Sequence, residues 1–121
     1  MKMIALLLLI TPVVHAGDIS CPARWAPAGW IAEGAADGQP VRDIGVIIGE
    51  MEPRAVLRGS ERKTRGGYKV RFSGLSGYGE PVSKWAYCGY GPHARLLRRM
   101  PDTTRECVAT LRQSTATMRC K

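Results

Sequence analysis

Four cysteines, Cys21, Cys88, Cys107 and Cys120, follow an apolar leader, and they constrain the fold of this chain more than any other feature. Lys2 gives the leader a positive start, Ile4 to Ile10 is unbroken apolar sequence, and Thr11 to Val14 extends it past Pro12. Val14-His15-Ala16 closes it with small or apolar residues at the −3 and −1 positions of a cleavage site. Residues 1–16 read as a cleaved export signal, and residues 17–121 as a single domain. The apolar run is too short for a membrane anchor, which takes about 20 residues, and no later segment is long and apolar enough to span. A lipoprotein reading, with Cys21 acylated, is disfavoured because Asp18 stands where such sites carry an apolar residue. Export places the domain in the periplasm of a Gram-negative cell or outside it, where disulfides persist. A domain this small has a modest core, and each disulfide offsets that by typically ~2–4 kcal/mol through restriction of the unfolded chain.

Glycine and proline recur along the mature chain, which breaks long helices and favours short strands joined by turns. Cys21 to Pro40 reads as an extended lead-in, with Trp25 and Trp30 packing onto a core. Val41 to Gly49 is dense in β-branched residues and reads as a strand. Ala55 to Leu57 fits a short strand or one helical turn. Glu61 to Gly67 reads as a charged turn, and Tyr68, Val70 and Phe72 alternate with Lys69 and Arg71 as a half-buried strand. Ser73 to Pro81 is a Gly-rich loop. Val82 to Tyr90 reads as the central strand, followed by strands at Ala94 to Met100, Thr104 to Leu111 and Ala116 to Cys120. The expected fold is all-β and mainly antiparallel. It is a small disulfide-stapled meander or sandwich of five to seven strands with little helix.

This register pairs the cysteines. A turn at Gly91 to His93 sets Cys88 opposite Leu96, and a turn at Pro101 sets Leu96 opposite Cys107. Cys88 and Cys107 then flank one strand. At ~4.8 Å per strand their Cα atoms lie beyond the ~7 Å a disulfide bridges. A hairpin turning near Gln113 and Ser114 sets Cys107 opposite Arg119 or Cys120. The expected bridges are Cys107–Cys120 and Cys21–Cys88.

With the cysteines paired, little reactive chemistry is left. Their spacing offers no Cys-x-x-Cys redox centre and no zinc site. Once His15 is removed, His93 is the one histidine, and it sits in a turn where solvation is the expected state. Glu50 and Glu52 are two apart, a spacing that puts two carboxylates on one face of a strand, but they fall at a strand end. No nucleophile elbow, Walker loop or dinucleotide fingerprint occurs. The reading is a protein that is not an enzyme and carries no cofactor and no metal.

Seventeen basic residues against ten acidic leave the mature chain at a net +7, a balance that favours anionic partners. Export excludes nucleic acid as the target. Arg58, Arg62, Lys63 and Arg65 crowd one loop, and Arg95, Arg98 and Arg99 one strand with its turn. Arg62, Lys63, Arg65, Arg95, Arg98 and Arg99 are the candidate partner-binding residues, since arginine pairs bidentately with carboxylates. The same charges also fit a solvated edge that blocks aggregation. Trp85 and Tyr87 alternate with Ala86 and Cys88, so one of these two faces is core and the other is an aromatic patch or a second packed face.

Several of these residues carry a resemblance. Cys21-Pro22, Val46 to Gly49 with Glu52 and Pro53, Lys63-Thr64-Arg65-Gly66-Gly67, Trp85-x-x-Cys88-x-Tyr90, Leu97, Met100-Pro101, Cys107-Val108 and Cys120 recur in order. In this the mature chain resembles a family of small exported proteobacterial proteins encoded beside type VI secretion genes. That family includes periplasmic immunity proteins that neutralise peptidoglycan-modifying effectors of the L,D-transpeptidase kind. Where the family carries a Thr soon after the Tyr, this chain has Gly91-Pro92-His93. The resemblance implies an exported stapled domain whose partner is an acidic or toxin-like protein, and it supplies no catalytic residues. Two functional readings follow: an inhibitor or immunity protein that plugs a toxin's cleft, and a cationic protein that binds peptidoglycan or lipopolysaccharide.

Overall fold

The computed structural model describes residues 18–50, 54–78 and 82–121. The expected export signal, Glu52 and Pro53 lie outside these residues. Among them the chain is all-β, in ten strands and one turn of 3-10 helix at Leu75–Tyr78. The strands are β1 (Asp18–Ser20), β2 (Ile31–Glu33), β3 (Asp43–Gly49), β4 (Arg54–Val56) and β5 (Ser60–Thr64). There follow β6 (Gly67–Phe72), β7 (Lys84–Gly89), β8 (Arg95–Met100), β9 (Cys107–Arg112) and β10 (Thr115–Cys120).

Two five-stranded antiparallel sheets form, in the orders β1-β10-β9-β6-β5 and β2-β8-β7-β3-β4. Successive hairpins alternate between them. β3–β4 and β7–β8 belong to the second sheet, β5–β6 and β9–β10 to the first. Each sheet closes only through non-local pairs, β6 with β9 and β3 with β7. Of the two expected architectures, meander or sandwich, the chain takes the sandwich, built of interleaved hairpins, and the expected five to seven strands are corrected to ten among the described residues. The expected charged turn at Glu61 to Gly67 is corrected as well: Ser60–Thr64 is a strand and the turn is Arg65-Gly66 alone. Gly66 supplies the positive φ of 81° that a two-residue hairpin needs. Gln113 does so with φ 43° in the turn before Thr115.

The core lies between the sheets. Ile44, Val46 and Ile48 of β3, Ala86 and Cys88 of β7, and Leu96 and Met100 of β8 pack against Phe72, Ala109, Leu111, Ala116 and Met118 of the first sheet. Both disulfides serve it. Cys21 is joined to Cys88, tying the lead-in to the central strand of its sheet, and Cys107 to Cys120 across directly paired positions of β9 and β10. These are the expected bridges, but one step of the register argument is corrected. Cys88 does face Leu96; Leu96 does not face Cys107, because Pro101 to Glu106 carries the chain to the other sheet. Lys84 holds that crossover from beneath. It is 2% exposed, and its Nζ donates to the carbonyls of Asp102 at 2.7 Å and Thr104 at 3.1 Å.

The lead-in is fixed by aromatic packing. Trp25 meets Tyr90 edge-on at 5.3 Å, and the Tyr90 hydroxyl donates to the Pro22 carbonyl. Burial pushes the Tyr90 phenol up to about 12.

Candidate functional site

The second sheet presents an outward face unlike an ordinary solvated one. Along β3 the residues pointing away from the core are Asp43, Gly45, Ile47 and Gly49, while Trp85 and Tyr87 point the same way from the paired strand β7. With two glycines in β3, the two rings have room to lie across that strand. Tyr87 covers Gly45, and a Cβ there would fall 2.7 Å from its ring. The Trp85 indole Nε1 donates to the Gly49 carbonyl at 2.9 Å. Between the rings Ile47 is sealed completely, with 0% exposure on the side away from the main core. Leu97, paired with Tyr87, completes a second small apolar cluster. At its two edges Ile31 pairs with Leu97 and Val56 with Ile47, and each of these is 46% exposed. The apolar surface thus reaches solvent at both rims and packs tightly at its centre.

Charge is placed around the cluster. The Tyr87 hydroxyl donates to Asp43 Oδ2 at 3.0 Å, and the Arg95 guanidinium stacks 5.0 Å from the Tyr87 ring centre. Burial, then the Asp43 carboxylate, hold the Tyr87 phenol far above its ordinary value. It is a fixed donor rather than a proton shuttle. Burial also raises Tyr68, helped by Asp43 and Glu61. Arg99 stands opposite Trp85 and pairs with Asp102 at 3.5 Å. Tyr87 and Leu97 are buried in the cluster, so what this face leaves open is the half-buried Trp85, the aliphatic rims Ile31 and Val56, and the flanking arginines, side chains of the kind enriched at interfaces.

The pleat disperses the basic clusters seen in sequence. Arg95 and Arg99 share this outward face, but Arg98 points to the other side of β8, over the Trp30 ring at 5.8 Å. Arg62 points outward from the first sheet, Lys63 points to its opposite face, and Arg65 lies in the hairpin turn. His93 is exposed in the turn before β8. Glu50 is exposed and accepts a hydrogen bond from the Ser83 hydroxyl. Among the described residues no three His, Cys, Asp or Glu side chains gather as metal ligands, and no helix is long and apolar enough to cross a membrane.

No family model, curated protein or solved structure matches this chain.

Cationic residues that the sequence reading passed over come together on the outer face of the first sheet. Lys69 and Arg71 of β6, Arg112 of β9 and Arg119 of β10 point outward there beside Arg62. Strict alternation in β6 and β10 was the available signal, since it puts every second residue on one side. What hid the face is that β6 and β9 pair across a long stretch of chain.

Proposed function

We propose that this protein is an exported, non-enzymatic binding protein that inhibits a peptidoglycan-targeting toxin, as an immunity protein does, by docking the outward face of its second sheet. The observation that carries the proposal is the Trp85–Ile47–Tyr87–Leu97 cluster, packed at its centre and open at Ile31 and Val56. Aromatic residues and arginine are the side chains on which binding energy concentrates, and they act best where a packed centre excludes water. Both rings are already pinned, Tyr87 by Asp43 and Trp85 by the Gly49 carbonyl. Two disulfides and the sandwich hold the strands beneath them. A partner docking here therefore loses little affinity to ordering. Export and the family resemblance support a target in the cell envelope.

The test is titration of the purified mature domain with a peptidoglycan-active effector encoded beside its gene. Binding at micromolar affinity or tighter, with loss of effector activity, is the expected result. An effector that stays active and unbound at such concentrations overturns the proposal.

A further inference from the structure

The outer face of the first sheet is built from different chemistry. One row across it reads Ser20, Thr117, Thr110, Lys69, Arg62, with direct partners in each adjoining strand pair. The row beside it carries Asp18, Arg119, Val108, Arg71 and Ser60. Val108 is the one apolar side chain in the two rows. A depression of about 560 Å³ runs over the hydroxyls and is lined as well by Lys69, Arg112 and the paired Asp18 and Arg119.

The cations on this face fall into two groups. Arg71 is paired with Glu106 at 3.2 Å and Arg119 with Asp18 at 3.8 Å. Arg62, Lys69 and Arg112 have no ion-pair partner among the described residues, and all three are exposed. Arg62 and Lys69 are directly opposed across β5 and β6. Like charges in that position repel and weaken the strand pair. Arg112 sits on β9, two residues beyond Thr110, the partner of Lys69. Close by, the Thr64 hydroxyl is buried with no hydrogen-bond partner among the described residues. The fold therefore tolerates a repulsive, unneutralised trio beside an open track of hydroxyls.

We infer that this face is a second binding surface, separate from the aromatic face, and that its occupant is an anionic polysaccharide. Charge complementarity fixes the sign of the ligand. The near absence of apolar side chains argues against a folded acidic protein, whose interface would need an apolar centre. The Ser and Thr row provides donors and acceptors for sugar hydroxyls, while Arg62, Lys69 and Arg112 neutralise carboxylate or sulfate groups along the chain. Neither the aromatic cluster nor any toxin is needed for this contact.

The experiment uses the whole mature domain with four probes: dextran sulfate, polygalacturonate, neutral dextran and poly-L-glutamate. Binding to the two anionic glycans, weakening steeply with added salt, is the expected result. The triple variant R62Q/K69Q/R112Q should bind them roughly tenfold or more weakly, and its salt dependence should be shallower. R95Q/R99Q, on the other sheet, should bind them as the parent does. The triple variant should also melt no lower than the parent, because the opposed Arg62 and Lys69 are gone. Equal binding of neutral dextran, or poly-L-glutamate binding as tightly as the glycans, overturns the inference. So does a triple variant that binds unchanged or melts lower. Effector inhibition is read separately on the same triple variant and should be unaffected, so either proposal can fail without the other.

Discussion

Tyr87 lies over Gly45, its direct partner across β7 and β3, with two ring carbons and the hydroxyl oxygen within 2.9 Å of where a Cβ would stand. The ring is fixed there by the Asp43 carboxylate and the Arg95 guanidinium. Gly45→Ala must push the ring off this seat and open the cover over Ile47. Overpacking of this kind costs about 1–3 kcal/mol. Chemical denaturation of the oxidised domain should show a lower midpoint with an unchanged slope. An unchanged midpoint would mean the ring moves freely.

The rims of the same cluster test recognition apart from stability. Ile31 and Val56 are half exposed, so Ile31→Glu and Val56→Glu should change stability by no more than about 0.5 kcal/mol. Placed on an apolar docking face, either charge should weaken effector binding by about tenfold or more. Calorimetric titration beside a melting curve separates the two effects.

Lys84 occupies a core position with its amine on two carbonyls of the crossover. Lys84→Met keeps most of the apolar stem but leaves the Asp102 and Thr104 carbonyls without that donor. A loss of about 1–3 kcal/mol is expected. Hydrogen exchange should quicken first around Pro101 to Glu106, since this segment alone bridges β8 and β9.

The two disulfides close loops of different length, 67 and 13 residues. In the chain-entropy account, removing Cys21–Cys88 costs about 4 kcal/mol and removing Cys107–Cys120 about 3 kcal/mol. Paired Cys→Ala variants compared by denaturation should rank in that order. The reverse order would mean that the lead-in retains structure in the unfolded state.

Alkaline pH should unfold the domain through its buried phenols. Tyr90 holds its proton up to about 12, against 10.0 for an ordinary tyrosine. Between these values the unfolded chain binds fewer protons than the native one, so stability falls as pH rises. Tyr87 adds to this in the same direction. Melting temperature should drop from pH 10 upward, with phenolate absorbance for these residues appearing only on unfolding. Tyr90→Phe should shallow the drop.

Much of the strand content was legible because its signals are local. β-branched density marked β3, alternation marked β6, and the Gln113-Ser114 turn set Cys107 opposite Arg119 or Cys120, of which the structure has Cys120. The strand at Ser60–Thr64 was missed because five charged or polar residues in a row look like a loop, and only pairing with β6 makes them an edge strand. The candidate sites were harder still. Arg98 and Arg99 are neighbours in sequence and on opposite sides of the sheet, while Lys69 and Arg112 are far apart in sequence and share one face.

The amino-acid sequence by itself determined an all-β, disulfide-stapled, basic domain and the pairing of its cysteines. Those properties follow from residue composition, hairpin-range register and the short reach of a disulfide. Only the tertiary structure decided that alternate hairpins go to alternate sheets, and that Trp85 and Tyr87 roof the glycines of β3. It also decided that Arg62, Lys69 and Arg112 stand together without counter-charges among the described residues. Each of these depends on pairing between strands distant along the chain, and a period-two pattern states which side a residue takes but not which strand lies beside it.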